Sequence, residues 1–176
     1  MSATVAEHKA KAPIKLRFAV VTVSTSRYRS LKSGKPVIDS SGDLIIQILE
    51  GSGHTVTHKK LVPDEEKLIV KAVKEALSNK NVDVVVTSGG TGITHSDITI
   101  EAIRPLFEKE LPGFGELLRK VSYEEIGSPA VMTRATAGIV KGKAVFCIPG
   151  SPQAAETALK YLILPEVGHI VKHARE

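Results

Sequence analysis

The sequence has no tryptophan and few aromatic residues of any kind, 4% of 176, so platforms for stacking nucleic-acid bases are scarce. Its net charge of +5 favours phosphates in general, but the lysines and arginines are scattered along helix faces and not gathered into a stripe. No nucleic-acid partner is expected. Cysteine is almost absent. The single Cys147 excludes an intramolecular disulfide framework, and its setting in Ala144-Val-Phe-Cys-Ile148 reads as a buried small hydrophobe and not a nucleophile. A free thiol without disulfides suits a reducing, cytoplasmic setting. No apolar run is long enough to span a bilayer, so no membrane partner is expected. Residues 1–13 are polar and basic without an apolar segment, and read as a flexible tail that is neither signal peptide nor anchor. What remains, residues 14–176, has 42% apolar and 24% charged residues across the whole chain and fits one globular domain.

The order of patterns along that domain is strand, loop, helix, repeated. Residues 14–23 read as a strand buried on both faces, running into Ser24-Thr-Ser-Arg27, a hydroxyl-rich strand end, and then a flexible basic loop, Lys32-Ser-Gly-Lys-Pro36. A helix follows, with Asp39 or Ser41 as its cap, apolar positions Leu44, Ile45, Ile48 and Leu49, and a stop at Gly51 and Gly53. Residues 54–62 alternate as a second strand. Its His54 and His58 fall on one side but have no third ligand nearby, so they read as surface residues. Pro63-Asp64 opens a strongly amphipathic helix with the stripe Leu68, Ile69, Ala72, Val73, Ala76 and Leu77, for which Asp64 is the natural N-cap. Asp64 also lies just past a strand end, where ligands of parallel sheets are bound.

The third strand, residues 82–86, feeds the most informative stretch, Thr87-Ser-Gly-Gly-Thr-Gly-Ile-Thr-His-Ser-Asp97. Its glycines permit close backbone approach, so the amides of Gly89 to Gly92 can face an anion, Ser88 and Thr91 add hydroxyls, and Asp97 adds a carboxylate able to hold a divalent cation against a phosphate. Thr99 reads as the cap of the next helix. The same residues also suit a tight strand-to-helix turn with solvated hydroxyls. There is no Gly-Lys-Ser/Thr of a nucleotide P-loop and no Gly-x-Gly-x-x-Gly.

Pro105 should divide the following helix, and Leu111-Pro-Gly-Phe-Gly-Glu116 reads as an exposed turn. Lys141-Gly142 marks a hairpin, Ser151 an N-cap with Pro152 at the first helical position, and Pro165 a break in the terminal helix. The alternation predicts an α/β fold with a mainly parallel sheet, in which Ser24 to Arg27, Asp64, the glycine loop and Pro149-Gly150-Ser151 share one edge.

Taken in order, Thr87-Ser-Gly-Gly-Thr-Gly92, Asp97-Ile-Thr-Ile-Glu-Ala102, Pro112-Gly-Phe-Gly-Glu116, Arg134 with Ala137-Gly138, and Pro149-Gly-Ser151 resemble the MoaB/MogA family of molybdopterin-binding proteins. The likeness runs from about Lys15 to Leu164. It implies a three-layer α/β/α domain assembled as a trimer or hexamer, and Mg²⁺-dependent adenylylation of molybdopterin by ATP, with hand-over to a molybdenum insertase. On the matching positions, Asp64 and Asp97 become the acidic, Mg²⁺-holding catalytic pair. Ser88, Gly89, Gly90, Thr91 and Gly92 become the phosphate loop, and Thr133 and Arg134 the pterin-site pair. Asp39 and Ser41 fall in an Asp-x-Ser-Gly element. Two departures stand out. Many relatives have Ser-Asp after the first strand, where this chain has Ser24-Thr-Ser-Arg27, and an arginine often precedes the loop aspartate, where this chain has Ser96. The alternative is an oligomeric protein that binds the pterin without catalysis. Two further expectations follow: Asp64 and Asp97 meet at one cleft, where their like charges raise at least one carboxyl pKa, and the segment with Pro105, Pro112 and Phe114 is buried against another subunit.

Overall fold

β1, Arg17–Val23, is covered on both faces along nearly its whole length, as its unbroken Phe-Ala-Val-Val-Thr-Val run requires. The computed structural model describes residue 13 and residues 15–176, so the expected tail, residues 1–13, lies outside the described residues except for Pro13. β1 is flanked by β2 (Thr55–Val62) and β3 (Val84–Ser88), and the six-stranded sheet continues through β6 (Lys143–Ile148), β5 (Thr136–Val140) and β4 (Lys109–Glu110) in the order β2-β1-β3-β6-β5-β4. β2, β1, β3 and β6 are mutually parallel, while β5 and the short edge strand β4 run antiparallel to their neighbours. The hairpin between β5 and β6 turns at Lys141 and Gly142, both with positive φ, as the sequence predicts.

One face of the sheet, carrying Phe18, Val20, Val84, Val86, Phe146 and Ile148, packs against α2 (Ser40–Gly51), α5 (Pro112–Ile126), α6 (Pro152–Ala158) and α7 (Leu164–Ala174). The other face, carrying Ala19, Val21, Val85, Val145 and Cys147, packs against α3 (Glu66–Ser78) and α4 (Thr99–Ile103). The result is the expected three-layer α/β/α arrangement. Cys147 sits in that second layer, fully buried, with its thiol pushed up to about 12 by burial. No helix among the described residues is long and apolar enough to cross a membrane.

Several local expectations are revised. The stretch after β1 is not a strand end but the start of α1, Thr25–Lys32, with Ser24 as N-cap accepting from Arg27 N. It carries no buried residue, so it lacks the apolar period that announces a helix. Asp39, not Ser41, caps α2, accepting from Gly42 N at 3.2 Å. α3 begins at Glu66 with no side-chain cap, so Asp64 is not an N-cap. Thr99 is already the first helical residue of α4, and its hydroxyl instead donates to the Gly89 carbonyl at 2.9 Å. The supposed exposed turn at Leu111 to Glu116 is the first turn of α5, with Pro112 at N1. Phe114 packs edge-on against Phe146 of this same chain, ring centroids 5.2 Å apart, so its burial is explained without a second subunit. His54 and His58 do not act together: His54 Nδ1 accepts from Leu16 N and its ring lies on Phe18, whereas His58 is exposed. The terminal helix breaks before Pro165, as a wider π turn over Leu159–Ile163, because the proline nitrogen cannot donate back to the preceding turn.

Candidate active site

Strand register decides which loops meet. Val23 stands level with Val62, Thr22 with Ser88, and Ser88 with Ile148, so β2, β1, β3 and β6 all end at one edge of the sheet. The chain runs outward from β1 to β2 and then returns to the other side of β1 with β3. The strand order therefore reverses between β1 and β3, the position where open α/β sheets form their ligand crevice. A cleft of about 600 Å³ lies there, bounded by the segment after β1, Asp64, the glycine loop and Pro149-Gly150-Ser151.

The glycine loop crosses the gap at very short range. Gly89 has φ +102 and a Cβ added to it would lie 2.3 Å from the Val23 carbonyl oxygen, so only glycine fits beside β1. Gly89 also touches Gly150, whose own added Cβ would be 3.0 Å from the Gly89 Cα. Gly90, at φ +62, lies against Thr99 and Asp64, an added Cβ falling 2.3 Å from Thr99 Oγ1 and 2.9 Å from Asp64 Oδ1. At Gly92 the nearest atom to an added Cβ is Asp97 Oδ2, at 2.7 Å. Asp64 and Asp97 thus flank the same three residues, Gly90-Thr91-Gly92, whose outer Cα atoms can be no more than about 7.6 Å apart.

Each carboxylate is fixed from behind. Asp64 Oδ2 accepts from Thr25 N at 2.8 Å and Thr25 Oγ1 at 2.7 Å, and Asp64 N donates back to Thr25 Oγ1 at 2.9 Å. This clasp joins the end of β2 to the start of α1 and leaves Oδ1 beside Gly90. Asp97 Oδ2 accepts from Thr94 Oγ1 at 2.6 Å and Thr94 N at 2.9 Å. Burial on its own raises the Asp97 carboxyl. The Thr94 hydroxyl and amide, the Gly92 amide and the positive Arg134 outweigh it, and the group is held below its ordinary value. That is the opposite of the expected elevation at this position, because the neighbouring hydroxyl, amides and guanidinium stabilise the ionised form of this carboxylate.

The amide cradle is narrower than the sequence suggests. Gly89 N donates to the Ile148 carbonyl at 3.1 Å and the Gly92 amide serves Asp97, so both are committed. Among the described residues, the N–H groups of Gly90 and Thr91 have no acceptor, and these two can meet an anion. Ser88 is fully buried and donates to the Pro149 carbonyl at 3.2 Å, tying the loop bases together outside the cleft lining. Ser151 caps α6, accepting from Ala154 N at 3.2 Å.

Asp39 and Ser41 also lie outside the lining. Asp39 is buried, accepts from Thr22 Oγ1 at 2.7 Å, and faces Arg27 Nη1 at 3.7 Å and Lys59 Nζ at 3.5 Å. It acts behind Arg27, which does line the cleft beside Ser24. Arg134 lines the cleft with Thr133. Its guanidinium donates to the Gly92 carbonyl at 2.8 Å and pairs with Glu101, so it braces the loop from outside.

A wall that the sequence gives no sign of comes from the end of α5 and the turn Ser128–Met132: Ser122, Glu125, Ile126, Pro129 and Met132. Glu125 Oε2 accepts from Thr157 Oγ1 of α6 at 2.8 Å, which sets the two helices side by side. No local motif marks these positions, since only the packing of α5 beside α6 brings them to the strand edge.

A family model described as a probable molybdopterin binding domain matches residues 19–169, the span that contains every element of this cleft. The chain belongs to the MoaB/MogA family. Among its relatives, the molybdopterin adenylyltransferase of Pyrococcus furiosus is 49% identical over 98% of this chain and 99% of its own. The molybdenum cofactor biosynthesis protein B of Bacillus subtilis is 45% identical over 98% of each chain. A crystal structure of a molybdenum cofactor biosynthesis protein B superposes with a TM-score of 0.85 at 44% identity, over 93% of this chain and 98% of that one. The MoaB/MogA fold thus extends to both ends of the cleft.

Proposed function

We propose that this chain is a molybdopterin adenylyltransferase in molybdenum cofactor biosynthesis, transferring AMP from ATP to the terminal phosphate of molybdopterin with release of pyrophosphate. The observation that carries the reading is the placement of two independently anchored carboxylates, Asp64 and Asp97, on either side of the amides of Gly90 and Thr91. A Mg²⁺ ion suits this donor set. It is commonly held by one or two carboxylates with phosphate oxygens and water completing the shell, and among the described residues no group of three His, Cys, Asp or Glu side chains gathers to form an all-protein site. When bound, the ion supplies neutralisation of charge on the phosphoryl oxygens.

The residues have distinct tasks. Asp64, clasped by Thr25, and Asp97, clasped by Thr94, keep their carboxylates oriented before substrate arrives, which lowers the reorganisation needed during transfer. The Gly90 and Thr91 amides receive charge growing on the α-phosphoryl oxygens as a terminal phosphate oxygen of the pterin attacks in line and pyrophosphate departs. Arg27, backed by Asp39, supplies a cation for the phosphates at the α1 side of the cleft. The half-apolar wall of Ile126, Pro129 and Met132 suits a flat ring system such as a pterin. The product would then pass to a molybdenum insertase.

The test is incubation with molybdopterin, ATP and Mg²⁺, following adenylylated pterin and pyrophosphate by chromatography. Formation of both in equal amounts is expected. Tight pterin binding with neither product would leave the chain as a non-catalytic binder.

A further inference from the structure

Besides Asp64 and Asp97 the cleft holds a third carboxylate, which phosphate transfer does not use. Glu125 lines it from the last turn of α5, beside Ile126. Its Oε2 accepts from Thr157 Oγ1 of α6 at 2.8 Å, and Thr157 is itself buried. This bond fixes the carboxylate and leaves Oε1 without a donor among the described residues. No lysine, arginine or histidine among them pairs with Glu125, since of the two arginines lining the cleft Arg27 faces Asp39 and Arg134 pairs with Glu101. Nor does Glu125 gather with Asp64 and Asp97 into a three-ligand cluster, so it stands apart from the cation those two would share.

A carboxylate that a ligand covers is unfavourable unless the ligand donates hydrogen bonds to it. Ionised phosphates only accept. The donor must come from sugar hydroxyls of ATP or from ring N–H groups of the pterin, and the neighbours of Glu125 decide between them: Ile126, Pro129 and Met132 form an apolar surface that suits a flat ring and not a sugar. We propose that Glu125 reads the 2-amino-4-oxo edge of the pterin, accepting from its N3–H and its 2-amino group. These donors are adjacent and coplanar, the pattern by which a guanidinium grips a carboxylate. Adenine presents a different edge, in which the 6-amino donor stands beside the N1 acceptor, and the N1 lone pair would face a carboxylate oxygen. Glu125 is therefore a specificity-determining residue, which assigns this wall to the pterin and turns the adenine of ATP away from it. The inference takes the identity of the ring from the adenylyltransferase reading, but it concerns ring binding alone and not phosphoryl transfer.

The experiment is fluorescence titration of the full chain with molybdopterin, without ATP or Mg²⁺, for the parent, Glu125→Gln and Thr157→Val, beside equilibrium dialysis with ATP. Glu125→Gln keeps the shape and can still accept from Thr157, but it loses the charge and turns one acceptor into a donor facing the donors of the pterin. Molybdopterin affinity is expected to fall by about tenfold to a hundredfold in this variant, with ATP affinity unchanged. Thr157→Val frees the carboxylate but keeps its charge, and should lose less. A loss of ATP affinity in Glu125→Gln in place of molybdopterin affinity, as a sugar contact would give, overturns the proposal. So does a loss in Thr157→Val equal to or greater than that in Glu125→Gln, as a role confined to bridging the two helices would give. Molybdopterin binding that depends on Glu125 in a chain forming no adenylylated product would uphold this inference and overturn the reading of catalysis. Adenylylation with equal molybdopterin affinity in parent and Glu125→Gln would do the reverse.

Discussion

At the scale of single residues, Asp97 and Gly89 show two different kinds of necessity. Asp97 is kept ionised by Thr94, the Gly92 amide and Arg134, so at neutral pH its role is that of a fixed negative charge and not of a proton donor. Asp97→Asn keeps the shape and removes the charge. Turnover is expected to fall by about a hundredfold or more, with ligand retained, as measured by product formation alongside equilibrium binding of ATP. The same change in a pure binder would leave binding intact or strengthen it by relieving repulsion of phosphate. Gly89 is required by space and by its φ of +102. Gly89→Ala would drive a methyl group into the backbone carbonyl of Val23, which cannot rotate away, and separate β1 from β3 at the cleft. A loss of about 2–4 kcal/mol in urea-denaturation stability is expected, together with loss of ligand binding.

At the scale of elements, the helix termini around the cleft are held by unlike devices. Ser151 is a conventional N-cap, and Ser151→Ala should cost about 1 kcal/mol in chemical denaturation. Asp64 looks like the same device in the sequence, but the structure spends its carboxylate on Thr25 across the β1–β2 gap. A cap and a clasp predict different consequences. Thr25→Val leaves α3 untouched yet removes the hydroxyl that both donates to Asp64 and accepts from its amide, so it should lower turnover while the helical circular dichroism of the chain stays the same. An Asp64 acting only through α3 would leave Thr25→Val fully active.

At the scale of the molecule, the edge of the sheet opposite the cleft is closed by Asp83, which is buried between Arg17 from β1 and Arg175 from the C-terminal segment. Burial alone would raise this carboxyl. The hydrogen bonds from the Arg17 side chain and backbone and from Arg175 overcome it and bring its pKa down to about 2 from 3.8. Because the folded value lies below the unfolded one, the stabilisation is fully present above pH 3.8 and is lost as pH falls toward about 2. It is worth on the order of 1–2 kcal/mol once solvent screening at the half-exposed arginines is allowed for. Asp83→Asn should therefore flatten the acid limb of a pH–stability curve followed by urea denaturation. Assembly belongs to this scale too. Phe114 is spent within the chain, whereas Tyr123, Ile126, Val131 and Met132 are exposed around the end of α5 and beyond. We expect light scattering at micromolar concentration to give a mass of three or six chains, and a monomer mass would refute that expectation.

Local chemistry carried the sequence a long way on this protein. The continuous apolar runs of β1, β3 and β6, the amphipathic stripe of α3, the Lys141-Gly142 hairpin and the Ser151-Pro152 helix start are short-range signals, and each is present in the fold as read. Alternation of those elements gave the α/β class with a mainly parallel sheet, and the ordered motifs gave the family and, through it, the three layers. Whatever depended on a partner distant in sequence had to wait for the tertiary structure. A hydroxyl or carboxylate at an element boundary can serve its own helix or reach across the sheet, and its sequence neighbours are the same in both cases. Asp64 therefore read as a cap and Ser88 as a ligand, until strand register put Thr25 beside the first and the Pro149 carbonyl beside the second. The cleft wall at Glu125 and Met132 was silent for the same reason: it exists because α5 packs against α6, and no residue within either helix encodes the other's position.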